Sequence, residues 1–250
     1  MRRWVGAGLL NVVLGLGLFY LLWLALGSYL DNEVVPLPPA VWEAAQSERV
    51  QAELPGHLEV STRRILRALA LSTLLALPLG LVLGQSRLLN RLLAPLLALT
   101  YAIPKVVLLP VVLILYGTGD ASKVALIVLV LFFQILVVVR DAALNIPGEL
   151  LESVRSLGAG RRALYWYVYL PASLGAVLTA WRVSVGTAVA VLFIAETTAT
   201  REGLGYYIVN NSQRLRYPEM YVGILAMSAL GVALYLVTDI LERLLGRWKA

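Results

Sequence analysis

The chain has 250 residues, of which 60 % are hydrophobic and 14 % charged, with a formal net charge of +6. Soluble domains carry about a quarter charged residues, so an ordinary water-soluble enzyme or binding module is excluded. Cysteine is absent and histidine occurs once, at His57, which removes disulfides, thiol chemistry and Cys- or His-based metal sites.

The apolar excess is gathered into runs of about 20 residues, the length that crosses a bilayer as a helix. The fold class is therefore an all-α polytopic membrane protein with about six transmembrane helices. The bilayer accounts for the basic balance without nucleic acid, because positive charge is retained at cytoplasmic loops and helix ends. Met1-Arg2-Arg3 is a basic start, and residues 4–29 are almost wholly apolar. That run exceeds the apolar region of a signal peptide, so a retained helix is expected, with its basic end in the cytoplasm. Residues 31–59 carry Asp31, Glu33, Glu43, Glu48, Glu53 and Glu59 against Arg49, a balance that suits the external side. Pro36, Pro38 and Pro39 break this segment ahead of a short helix expected around 41–54, and His57 reads as a solvated loop histidine. Residues 1–60 are thus a first helix plus an external acidic loop, and 61–245 the transmembrane core.

Arg63, Arg64 and Arg67 open the second run, which ends near Gly84. On the external side they run against the charge rule, and they read as an amphipathic entry turn whose side chains snorkel to the headgroups. Gln85 to Arg91 reads as a short cytoplasmic loop. The third run, 92–116, is interrupted by Pro95, Pro104 and Pro110, which predicts a kinked or broken helix. Gly117-Thr118-Gly119-Asp120 reads as a tight external turn, and the fourth run, 124–139, closes on Arg140-Asp141.

A polar island follows, over 149–171. Leu150, Leu151, Val154 and Leu157 recur at helical spacing, opposite Glu149, Glu152, Arg155 and Ser156. Gly158 is placed to end that helix. The fifth run covers about 171–195, a second external segment about 196–218, and the sixth about 219–241, with Arg243, Arg247 and Lys249 beyond. Six crossings place both termini and the island in the cytoplasm, where Arg155, Arg161 and Arg162 obey the charge rule. Tyr165, Trp166, Tyr167 and Tyr169 read as an interfacial aromatic belt.

No phosphate loop, HExxH or GxSxG pattern occurs, so no catalytic residue, metal ligand or bound cofactor is assigned to this chain. Arg182 lies 11 residues past Pro171, or about 16 Å along a helix. A charge at that depth faces a bundle interior or water. Arg182 and Lys105 would suit an anionic solute; otherwise Arg182 pairs with an internal carboxylate or carbonyls, and Lys105 follows a proline kink to the interface. Thr100, Tyr101, Gln134, Ser184 and Thr187 are polar groups that line a pathway or bind neighbouring helices together. Glu196 is read as a gate or helix-end residue.

Glu152-Ser153-Val154, Gly158 six residues after the glutamate, and Leu170-Pro171 together resemble the EAA loop of the membrane subunits of bacterial ABC importers, with Ser153 and Val154 in place of two alanines. Ile103-Pro104-Lys105-Val106 through Pro110, Leu115-Tyr116-Gly117-Thr118-Gly119, and Ala195-Glu196 ahead of Gly203-Leu204-Gly205-Tyr206 are similar to the nitrate, sulfonate and taurine branch. The resemblance covers roughly residues 60–243.

It implies a permease subunit of the type I importer fold in the bacterial inner membrane. Two copies would form the pathway for a small polar or anionic solute, of the sulfonate, nitrate or taurine kind or a vitamin precursor. An external binding protein would deliver it. A cytosolic ABC ATPase dimer, holding the ATP and Mg, would receive a coupling helix at about 149–160 through Glu149, Leu151, Glu152, Ser153, Val154, Arg155, Leu157, Gly158 and Ala159. Two other readings stay open. An ion-coupled secondary transporter would need intramembrane carboxylates, of which Asp239 is the one found. A membrane scaffold would recruit a cytosolic protein without moving a solute.

Overall fold

The computed structural model describes residues 2–245, apart from the side chains of residues 2–10, 12, 101, 102, 161 and 245. Tyr101 and Arg161, as side chains, and Arg247 and Lys249 therefore lie outside what is described. Eleven α-helices follow one another, α1 (Arg2–Leu30), α2 (Pro38–Gln46), α3 (Glu48–Gln85), α4 (Arg87–Ala102), α5 (Leu109–Tyr116), α6 (Asp120–Leu144), α7 (Gly148–Ser156), α8 (Arg161–Leu164), α9 (Leu170–Glu196), α10 (Leu204–Gln213) and α11 (Tyr217–Leu245). Five helical spans are long and apolar enough to cross a membrane, or six if the bent pair of α4 and the segment ending in α5 is one span.

The acidic loop expected over 31–59 is mostly helical. Pro38 and Pro39 begin α2 instead of breaking the chain, because the first helical turn has no use for the N–H that proline lacks. Ser47 then caps α3, its hydroxyl accepting from the Val50 N–H at 3.4 Å. From there α3 runs 38 residues through residue 60 without interruption, so the N-terminal segment and the core share a helix. Likewise the loop expected over 85–91 is a one-residue corner. Ser86 ends α3 and caps α4 by accepting from the Leu89 N–H at 3.3 Å.

The expected break in the third run is present. Between α4 and α5 the chain passes Ile103-Pro104 and a 3₁₀ turn at Lys105–Leu108, and the axis bends by 80°. Pro171 breaks nothing. The helix begun at Arg161 continues through a π-turn at Tyr165–Tyr169 into α9, with the Leu170 N–H reaching the Tyr165 carbonyl five residues back. The wider turn accommodates a proline whose ring would collide with the carbonyl four residues before it.

The centre of the bundle is α3 packed on α6, with α9 closing over both. Lipid is as apolar as leucine, so helices associate in a membrane through close packing. Gly80 and Gly84 supply the closeness, facing Val139 and Ala143 of α6. A Cβ at Gly80 would sit 2.9 Å from the Val139 Cβ and 3.0 Å from the Leu136 carbonyl. Ile65, Leu81, Ile127, Leu131, Ile135 and Leu192 are fully buried along these three helices. Gly80→Val should therefore lower stability by about 1–3 kcal/mol through overpacking, read as a drop in the thermal midpoint of the detergent-solubilised chain. Gly56→Ala, where nothing stands within 4 Å, should leave the midpoint unchanged or raise it.

Candidate functional site

The two ends of the bundle differ in chemistry. At one end, α3 presents His57, Ser61 and Arg64 at i, i+4 and i+7, on one helix face. The Arg64 side chain is only 2 % exposed and joins three helices. Its Nε and Nη2 donate to Asp120 Oδ1, the first residue of α6, at 2.8 and 2.6 Å. Its Nη1 donates to Glu196 Oε1, the last residue of α9, at 2.9 Å, and to the Glu202 carbonyl at 2.9 Å. Arg63 lies 3.3 Å and Arg67 4.0 Å from the other Asp120 oxygen. The entry-turn reading is thus corrected for Arg64. It turns inward because two carboxylates meet it there, while Arg63 stays half-exposed and Arg67 exposed beside Asp120.

Glu196 is fully buried and wholly engaged. It accepts from the Ser61 hydroxyl at 2.8 and 2.9 Å and from the Gly205 N–H at 3.0 Å. Its carboxyl group occupies the space that a Cβ on Gly203 would need, and Gly203 has φ +103°. Ser61 Oγ also accepts from the Leu204 N–H at 2.8 Å, and His57 Nδ1 from the Gly203 N–H at 3.1 Å. His57 is therefore a half-buried helix residue holding the Gly203–Leu204 turn, not a solvated loop group. The segment after Glu196 contains α10, whose Tyr207 is buried and packs on His57. Burial pushes the Tyr207 phenol up to about 12. Lys123 is buried nearby, donating to the Thr118 and Ala199 carbonyls at 2.6 and 3.0 Å.

At the other end stands α7, with no fully buried residue. Gly158, at φ +86°, ends it. The Gly158 N–H bonds to the Arg155 carbonyl at 2.9 Å and the Ala159 N–H to the Val154 carbonyl at 3.4 Å, the pair of bonds of a Schellman C-cap. The apolar side of α7 is divided. Leu151 and Val154 pack on this chain's own core, whereas Leu150 and Leu157 are 46 % and 87 % exposed. Glu149, Glu152, Ser153 and Arg155 are exposed as well, and Ala159 half-buried. Of the aromatic run, Trp166 and Tyr167 are exposed and Tyr169 is buried.

Of the candidate pathway residues, Lys105 and Thr100 touch, whereas Arg182 and Glu196 are engaged in ion pairs of their own. Arg182 lies 3.4 Å from Asp239 and 3.1 Å from Glu242, and Arg243 reaches Asp239 at 2.8 Å. The Glu242 contact lacks hydrogen-bond geometry and is ionic alone. Glu242 also accepts from Thr179 at 2.7 Å. The charge of Arg182 is met internally, and so is that of Asp239. Lys105 follows the break in the third span, where its Nζ donates to the Thr100 carbonyl at 2.6 Å and lies 5.1 Å from the Phe133 ring centroid. Thr100 Oγ1 donates to the Leu97 carbonyl at 2.8 Å. Ser184 is buried in α9, and Gln134 of α6 keeps a buried Oε1 without a hydrogen-bond partner among the described residues. The Arg64 cluster was missed in the sequence. The i, i+4, i+7 spacing of His57, Ser61 and Arg64 was the available signal, but it counts only if one helix spans residue 60.

A tightly packed helical bundle with a broken span, buried charges at one end and one exposed amphipathic helix between two crossings defines a membrane transport subunit of the type I importer permease fold. The model of the binding-protein-dependent transport system inner membrane component family matches residues 76–250, and the chain belongs to that family; it is an ABC importer permease of the inner membrane. It is 28 % identical over 245 residues to a probable ABC transporter permease of Brucella abortus (strain 2308), covering 98 % of this chain and 96 % of that one. It is 30 % identical over 199 residues to the taurine transport system permease protein TauC of Escherichia coli (strain K12), covering 80 % of this chain and 72 % of that one. Its fold is similar to a chain of the MetNI methionine ABC transporter solved in inward-facing conformations, with a TM-score of 0.69 at 18 % identity, over 80 % of this chain and 99 % of that one.

Removing Arg64 strands two carboxylates, and breaking a buried pair from one side costs about 3–5 kcal/mol. Arg64→Met should show a loss of that order in thermal unfolding in detergent. Combining it with Glu196→Gln should cost less than the sum of the single changes, which a double-mutant cycle reads directly.

Proposed function

We propose that this chain carries a small polar or anionic solute across the inner membrane as one of two identical permease subunits. In this reading α7 couples each copy to a cytosolic ATPase, and an external binding protein supplies the solute. The observation that carries the reading is the placement of α7. It joins the end of α6 to the start of the α8–α9 helix, its outward Leu150 and Leu157 suit a cleft in a partner, and Glu152 and Arg155 stand at the rim for hydrogen-bonded ion pairs. Charge supports this cytoplasmic orientation of α7 through Arg87, Arg91, Arg155, Arg162 and Arg243 toward it and the acidic residues of 31–59 at the other end, since basic residues are retained on the cytoplasmic side; Arg63, Arg64 and Arg67 run against that rule. ATP and Mg belong to the partner ATPase.

The Arg64 cluster supports a mechanism for the stroke. Asp120 and Glu196 lie at the far ends of the two helices that flank α7, and one side chain of α3 clamps both. A push on α7 then moves α3, α6 and α9 as one body, a rigid-body switch, and delivers the displacement to the external end. Kinship with TauC favours taurine or a related sulfonate as the solute. Lys105 beside the broken span, Thr100, Tyr101, Gln134, Arg182, Ser184 and Glu196 remain the candidates for lining the pathway.

Affinity capture from detergent tests the coupling. The wild-type chain should retain an ATP-hydrolysing subunit. The Glu152→Ala, Gly158→Pro variant should lose it while its helix content persists, because φ +86° at Gly158 is closed to proline. A wild-type chain that holds no ATPase overturns the reading. In the reconstituted transporter, Arg64→Lys keeps a charge but lacks the fork that spans both acids. Binding-protein-stimulated ATP hydrolysis should persist while solute uptake falls; a parallel fall of both would reduce Arg64 to a stability role.

A further inference from the structure

The corner between α3 and α4 encloses a cavity of about 500 Å³, of whose lining the coupling reading uses Arg155 alone. Gln85 and Ser86 line it from the corner, Arg87 from the first residue of α4, Tyr169 from the π-turn, and Arg155 from α7. No acidic side chain lines it, and neither arginine has an acidic partner among the described residues. Two arginines line this one space, and guanidinium groups are the chemistry that holds a phosphate.

A second cavity of about 310 Å³ adjoins it, sharing Val82 and Leu89 as walls. Leucines of α3 and α4 line it, with Phe132, Phe133 and Leu136 of α6. Its one polar lining residue, Thr100, turns its hydroxyl onto the Leu97 carbonyl. A free phosphate would use the first cavity alone, and an apolar molecule the second alone. Side by side, with a common wall, they match an amphiphile. The exposed Trp166 and Tyr167, on the same π-turn as Tyr169, are residues typical of the headgroup level.

We propose that the two cavities form one binding site for an anionic glycerophospholipid of the cytoplasmic leaflet. The phosphate sits between Arg87 and Arg155, and an acyl chain lies in the cleft between α3, α4 and α6. Basic pockets between helices on the cytoplasmic side are the usual seats of such headgroups. The lipid would bridge α4 to α7 and so set the resting position of α7. The proposal rests on the cytoplasmic placement of α7 given above, but lipid binding is read without the ATPase, so the two readings fail separately.

Native mass spectrometry of the full chain, delipidated in neutral detergent, tests it with phosphatidylglycerol and phosphatidylcholine of matched acyl chains. Phosphatidylglycerol should be retained in preference to phosphatidylcholine. Arg87→Gln and Arg155→Gln should each weaken its retention about fivefold, and together about 25-fold. Leu96→Trp, which crowds the apolar cleft from a half-exposed position, should weaken it with no charge altered. Thermal unfolding establishes that each variant is folded. Equal retention of the two lipids, or wild-type retention by the double arginine variant or by Leu96→Trp, overturns the proposal. Displacement of phosphatidylglycerol by inorganic phosphate would make this a headgroup-only anion site, and its expulsion by the purified ATPase subunit would assign the cavity to an acidic side chain of that partner; either result overturns the lipid assignment.

Discussion

The side chain of Arg64 cannot be buried alone. A guanidinium withdrawn from water costs several kcal/mol unless its fork is filled, and the groups that fill it come from the start of α6 and the end of α9, 56 and 132 residues away. That constraint propagates. Glu196 must end α9 where Ser61 and Gly205 can share its oxygens, the turn after it must bring Gly203 against the carboxylate, and α10 must begin at Leu204 so that its N–H meets Ser61. Glycine is required at 203 on two counts, a left-handed φ and a carboxyl group standing where a side chain would begin.

The two ends of the bundle use charge differently. At the Arg64 end, the buried ionic groups reach across several helices and rigidify. Toward the α7 end, Arg182 is held by Asp239 and Glu242 in a network that ties α9 to α11, but α7 itself leaves its glutamates, Arg155 and two leucines on the surface. A permease needs both. Helices that move together must be joined by contacts that do not slip, and the element that receives the motion must keep a face available.

Much of this was legible before any coordinates. The period of the apolar residues and Gly158 marked α7, because helical amphipathicity and a glycine C-cap are local properties. Three prolines marked the broken third span for the same reason. Pro171 marked the start of the fifth run, as a proline at the edge of an apolar stretch does, but only the structure shows the π-turn that joins it to the helix begun at Arg161. Leu150, Leu151, Val154 and Leu157 look alike in the sequence. Which two face the chain's own core depends on how α7 lies against the helices beside it.

The sequence by itself determined the membrane class, the approximate spans, the break near Pro104 and the amphipathic helix with its cap, all consequences of composition and of interactions within a few residues. Only the tertiary structure decided the partners of the charges. Arg64, Arg182 and Asp239 gave no local sign of what neutralises them, because an ion pair between helices forms wherever packing brings side chains together, and sequence separation carries no record of that distance. The same limit hid the paired cavities at the α3–α4 corner, where Arg87 and Arg155 approach one site from helices joined only through the fold.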